Sequence, residues 1–102
     1  MVLDLDETLI RAVIDSQIHM LAPDCDPLAI RKVMMQKDSI QANFIVTLRP
    51  HLKSFLKKIS SYFTVAVYTY GIREYAAAMV DLIDPYREYI CRVLSREDTV
   101  TI

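Results

Sequence analysis

The sequence predicts a mixed α/β domain built on a mainly parallel sheet with flanking helices, and three observations predict it. An apolar start runs directly into two aspartates two residues apart, Asp4 and Asp6, as at the end of a buried strand. Helical periodicity appears near residues 50–60 and 72–83, each time between runs rich in β-branched and aromatic residues. The only glycine, Gly71, follows the most strand-like of those runs, where average usage of about 7% would give about seven glycines in such a chain. Strands alternating with helices make successive βαβ units, and those build parallel sheets.

Residues 1–6 read as the end of the first strand. Residues 8–41 are the least regular stretch, with a turn at Pro23-Asp24-Cys25-Asp26-Pro27 and a short amphipathic helix expected over about 28–35. Phe44 to Leu48 then reads as a strand closed by Arg49-Pro50. Leu52, Phe55, Leu56 and Ile59 fall on one helical face, with Lys53, Lys57 and Lys58 opposite, and Pro50 suits the first helical position. A solvated face explains those lysines more simply than a phosphate-binding patch. Residues 63–70 show little alternation, as a strand covered on both faces should. A second helix follows from about 72 to 83, with Tyr75, Met79, Leu82 and Ile83 inward, and Asp84-Pro85 stops it. Residues 89–94 read as the last strand.

Composition narrows the class. The 102 residues are 53% hydrophobic and 25% charged with net charge −1, which describes a globular domain or part of one. There is no excess of Lys and Arg to form a nucleic-acid footprint. No apolar run approaches the roughly 20 residues of a membrane span, and Asp4, Asp6 and Glu7 interrupt the only apolar start. Cys25 and Cys91 lie far apart in unlike contexts, which reads as reduced thiols rather than a metal site.

Two carboxylates this close repel unless a cation or specific hydrogen bonds offset them. D-x-D-x-T after a strand offers an aspartate nucleophile, a second aspartate for proton transfer and a hydroxyl for a phosphate oxygen. The ordinary alternative is that Asp4 and Asp6 cap the following turn. Ligands of open α/β sheets sit at the carboxyl ends of strands, and a second such end lies at Thr69-Tyr70-Gly71. There a hydroxyl precedes the glycine, whose neighbouring N–H groups could approach an anion, unless Gly71 serves only the turn. Arg49 is a candidate for binding substrate phosphate through its planar fork, or simply an arginine at a strand end.

DLDETLI at residues 4–10, LRP opening a helix, VYTYGIREYA at 67–76 and LIDPYREYICRVLSRED at 82–98 follow one another in order. In that order they resemble the haloacid-dehalogenase superfamily. More narrowly, they resemble the phosphatases of the RNA polymerase II C-terminal domain, the NLI-interacting-factor-like group. The likeness covers residues 1–11 and 46–98, with 12–43 as a variable insertion after the first strand. It implies a Rossmann-like fold and a Mg2+-dependent phosphoserine protein phosphatase of the nucleus, acting on a disordered phosphorylated partner such as the polymerase tail. By position, Asp4 would be the nucleophile that becomes an aspartyl-phosphate, and Asp6 the general acid and base. The metal would take a carboxylate oxygen of Asp4 and the backbone carbonyl of Asp6. Thr69 would hold a phosphate oxygen, with Gly71 beside it, and Thr8 would brace the loop.

Two parts of the family site have no match. All five lysines precede Thr69, whereas the family lysine follows it. Glu97-Asp98 falls on the family's serine–arginine–acidic segment, read as a loop, and not on its later acidic pair. The resemblance therefore implies a truncated, N-terminal part of a catalytic domain over residues 1–102, a fragment of weak activity with an apolar sheet edge exposed. A catalytically inactive member serving as a binding or structural module is the alternative.

Overall fold

The computed structural model describes residues 1–14 and 30–99. Its strands and helices are β1 (Val2–Asp4), β2 (Ile10–Ile14), β3 (Ile30–Lys37), β4 (Ile40–Leu48), α1 (Leu52–Ser60), β5 (Val65–Tyr68), α2 (Arg73–Ile83) and β6 (Ile90–Leu94). A 3-10 turn follows at Arg96–Thr99. The parallel sheet has the order β1-β5-β6, and Asp4, Tyr68 and Leu94 stand abreast in its register. The three carboxyl ends therefore open on one side. Val65 and Val67 of β5 are fully buried, as a central strand requires. β1 is an edge among the described residues and leaves Val2 62% exposed, an apolar edge as expected.

A second sheet, antiparallel and ordered β2-β4-β3, was not foreseen as a sheet. Its existence corrects the helix expected over 28–35: residues 30–37 form β3, while residues 28 and 29 lie outside the described residues. Lys, Met and Gln favour helices locally, yet all eight residues of β3 pair with β4. Only Asp38 and Ser39 separate the paired Lys37 and Ile40, with Asp38 in the left-handed region at φ 54. Asp tolerates that conformation, so a hairpin turn forms without glycine. The turn expected at 23–27, and Cys25 with it, lies outside the described residues. Cys91 is a free, exposed thiol.

Pro50 also serves differently from the expectation. The Leu52 amide donates to the Arg49 carbonyl at 3.2 Å, closing a turn with Pro50 second and His51 third at φ 58 and ψ 31. Proline is at home at the second place of such a turn. His51 is then the N-cap, and α1 begins at Leu52. Lys57 and Lys58 lie in the last turn of α1, where positive charge suits the helix dipole.

One core unites the parts. Leu5, Leu9 and Ile10 from the first loop, Val46 from β4, Leu52 and Leu56 from α1, and Met79, Val80 and Ile83 from α2 pack with β5 and β6. The exit from α2 is fixed by a buried charge. The Asp84 carboxylate, 3% exposed, accepts the amides of Glu88 at 2.9 Å, Tyr89 at 3.0 Å and Ile90 at 2.8 Å. Three backbone donors entering β6 are satisfied by one side chain.

Asp84→Ala strands those donors. The Ile90 amide is the buried one of the three, and a buried donor left unmade costs about 1–3 kcal/mol, so the variant should lose about that much, read as a lower urea midpoint. Asp84→Asn keeps an acceptor and should lose less.

Candidate active site

After β1 the chain folds tightly back on itself. The amides of Leu9 and Ile10 both donate to the Leu5 carbonyl, at 3.0 and 3.1 Å, and the Glu7 amide donates to Ile10 at 2.8 Å. Glu7 takes a left-handed conformation at φ 63 to make the reversal. Leu5 and Leu9 are fully buried, and between those anchors Asp6 turns into the protein while Asp4, Glu7 and Thr8 stay exposed. The capping alternative for Asp6 does not describe what is found.

The two strand ends meet at the Asp6 carboxylate. Thr69, fully buried, donates its hydroxyl to Oδ2 at 2.5 Å, and Tyr75 donates its phenol to Oδ1 at 2.6 Å. The Gly71 amide donates to the Thr69 hydroxyl at 3.0 Å, so donors run in series from backbone to hydroxyl to carboxylate. Such chains polarise one another and strengthen each link. Both Asp6 oxygens accept from hydroxyls, so neither is left without a donor. Burial, and next the bond to Asp6, hold the Tyr75 phenol well above the usual tyrosine range.

Tyr75 was expected as core, and only its ring behaves so. The ring meets Phe44 of β4 edge-on, with centroids 5.3 Å apart at 68°. It also explains Gly71. The glycine has no left-handed φ, but a Cβ there would run into the Tyr75 ring. Close approach of the Tyr75 side chain is one thing the position requires.

A clamp from β6 steadies this loop. The Arg96 amide donates to the Gly71 carbonyl and its Nε to the Tyr70 carbonyl, both at 2.9 Å. Glu97 accepts the Arg73 amide at 3.0 and 3.1 Å, closing the N-terminus of α2, which carries Tyr75. Asp98 accepts the Ser95 amide at 2.8 Å and its hydroxyl at 3.1 Å. Residues 95–98, read as a plain loop, are the brace of the site. The bond from Arg73 is the main cause that holds the Glu97 carboxyl below its usual range, and the bonds from Ser95 do so for Asp98.

The other expected residues fall nearby with different partners. Thr8 is exposed, and its hydroxyl makes no hydrogen bond among the described residues. The loop is braced by its own backbone. Arg49 lies 4.2 Å over the Phe55 ring, with its amide tied to the Leu9 carbonyl at 2.9 Å. Asp4 carries no side-chain hydrogen bond or ion pair among the described residues, and the Asp6 carbonyl accepts no backbone hydrogen bond among them. An unpartnered carboxylate and a spare carbonyl are oxygen donors of the kind Mg2+ takes, since it binds through one or two carboxylates and keeps its waters. No group of three His, Cys, Asp or Glu side chains converges among the described residues.

The NLI interacting factor-like phosphatase family matches residues 1–102. The chain belongs to this family. It is 34% identical to an Arabidopsis thaliana RNA polymerase II C-terminal domain phosphatase-like protein over 96% of this chain and 24% of that protein. It is 34% identical to a Xenopus tropicalis CTD nuclear envelope phosphatase, over 95% of this chain and 39% of the other. Among solved structures, the fission yeast RNA polymerase II CTD phosphatase bound to beryllium fluoride superposes with a TM-score of 0.81 at 29% identity. That match covers 98% of this chain and 30% of that one. The chain thus spans about a quarter to two-fifths of the length of these relatives. No helix among the described residues is long and apolar enough to cross a membrane.

Gly71→Ala should push the Tyr75 ring away from Asp6 at a cost of about 1–3 kcal/mol, the usual range for overpacking. In ultraviolet pH titration, the Tyr75 phenol, raised in the native protein, should then ionise at lower pH than it does without the substitution. Glu97 has a lowered folded value, so its contribution is present above the unfolded value of about 4.3 and lost as pH falls through the folded one. Glu97→Gln should therefore lower the urea midpoint at pH 7, with the difference shrinking toward nothing near pH 2.

Proposed function

We propose that this protein is a Mg2+-dependent phosphoserine protein phosphatase of the nucleus, acting through an aspartyl-phosphate on a disordered phosphorylated partner such as the tail of RNA polymerase II. The observation that carries the reading is the Thr69–Asp6 hydrogen bond. It joins two strand ends 63 residues apart in sequence, two residues from an Asp4 carboxylate that makes no hydrogen bond or ion pair among the described residues. Relatives named as polymerase C-terminal domain and nuclear envelope phosphatases support the substrate class and the compartment.

Asp4 is the group free to attack. One of its oxygens forms a bond to phosphorus as the serine oxygen departs in line, and that oxygen takes a proton from Asp6. Asp6 then takes a proton from the water that opens the aspartyl-phosphate, which restores both aspartates. Bound Mg2+, held by the Asp4 carboxylate and the Asp6 carbonyl, would offset charge on the phosphoryl oxygens.

Asp6 must carry a proton for the first step, and in this structure both of its oxygens already accept hydroxyls. A single rotation resolves this. If the Thr69 hydroxyl turns from Asp6 to a phosphate oxygen, one Asp6 oxygen is freed to carry the proton, and the phosphate gains a donor. Gly71 N–H, already directed at the Thr69 oxygen, would hold it through the exchange.

In the complete protein, Asp4→Asn should lower kcat for a phosphoserine peptide by more than about a thousandfold, with the fold intact by circular dichroism. Equal activity in the two proteins would overturn the nucleophile. An unmodified protein that binds such peptides without hydrolysing them would instead favour the binding module.

A further inference from the structure

Beside the Asp4–Thr8 loop lies a pocket of about 230 Å³ whose walls include Glu7, Thr8, Arg11, Thr47 and Arg49. Two arginines and one glutamate line it, and no lysine. Exposed arginines normally find carboxylates or stand in water, and these two do neither fully. Arg49 makes no ion pair among the described residues; the Phe55 ring, 4.2 Å away, takes the face of its guanidinium. Stacking uses that face and leaves the N–H groups at its edge for an acceptor.

Arg11 is held only by Glu7, at 3.7 Å, with both side chains largely exposed. A pair so long and so wet contributes little and is easily exchanged for a better anion. The Thr8 hydroxyl on the same wall has no partner among the described residues. The Thr47 hydroxyl is already given to the Arg11 carbonyl at 3.2 Å, which ties β4 to β2 at the base of the pocket.

We propose that Arg11 and Arg49 form a subsite for a second phosphate monoester on the same substrate, next to the one that is hydrolysed. The proposal rests on the phosphatase reading for its substrate and goes beyond it in the substrate's chemistry, a doubly phosphorylated peptide. Its position follows from the loop. Thr8 lies two residues beyond Asp6, so an anion in the pocket sits against the loop that carries Asp4 and Asp6. Two planar forks and a spare hydroxyl match the several oxygens of a phosphate better than the single pair of a carboxylate. Glu7 then has a second use: it keeps Arg11 extended over the pocket until an anion displaces it.

The test compares two fluorescent peptides that differ only in a second phosphoserine two or three residues from the first, bound to the full Asp4→Asn chain at low salt. The second phosphate should tighten binding by about tenfold. Arg11→Ala should abolish that gain while changing the affinity of the singly phosphorylated peptide by less than about twofold. No gain, or a gain that survives both Arg11→Ala and Arg11→Glu, overturns the subsite, even where the unmodified protein hydrolyses both peptides.

Inorganic phosphate separates the subsite from the phosphatase reading. If neither peptide binds but phosphate saturably shifts the Arg11 and Arg49 Nε–H resonances, and the Arg49 shift is lost in Arg11→Ala, the subsite holds and the phosphatase reading fails. Resonances that do not move with phosphate, in a protein that binds neither peptide, overturn the subsite.

Discussion

The carboxylate of Asp6 is half-buried and lies two residues from another aspartate, Asp4. Hydroxyl donors make that tolerable. Thr69 and Tyr75 each give one oxygen a short hydrogen bond, and most of the local architecture follows from keeping those two donors in place. Thr69 needs the end of β5 aligned with the end of β1, which the parallel register supplies. Tyr75 needs the first turn of α2 held over the sheet, which Glu97 secures at the helix N-terminus. Gly71 then has to be glycine because the ring passes against it. A carboxylate satisfied by neutral hydroxyls is easier to protonate on demand than one locked in an ion pair, since no partner charge is left stranded.

The parallel half of the fold was legible because its signals are local and agree with one another. Leu52, Phe55, Leu56 and Ile59 repeat at helical spacing, residues 65–68 form a strand with Val65 and Val67 buried, and Asp84-Pro85 ends a helix. The antiparallel half was not. In Ile30–Lys37 the apolar Ile30, Val33 and Met34 fall at helical spacing, yet what decides the structure is pairing with β4, a partner that a short window does not contain. The hairpin turn at Asp38-Ser39 also lacks the glycine that makes most such turns recognisable.

The site divides in the same manner. Asp4, Asp6 and Thr69 stand out through residue type and spacing, and the fold brings Thr69 to Asp6. Tyr75 was hidden because an aromatic at an inward helical position reads as core, and its ring is core; only the hydroxyl has other work. One clue was available, since the only glycine in the chain sits four residues before it, one helical turn away. The brace at residues 95–98 was hidden for a different reason. Ser-Arg-Glu-Asp is what any exposed loop looks like, and its acceptors find their donors only once β5 and β6 lie side by side.

In β1, alternate residues face alternate ways along the ladder. The backbone groups of Leu3 and Leu5 turn toward β5, and those of Val2 and Asp4 turn toward the open edge. The amide of Asp4 therefore depends on solvent, while the amides on either side of it are locked. Hydrogen exchange along this strand should alternate fast and slow residue by residue, a pattern that an anion or cation arriving at Asp4 would flatten. The backbone of Asp4 would then report, by its own exchange rate, whether the crevice above it is filled.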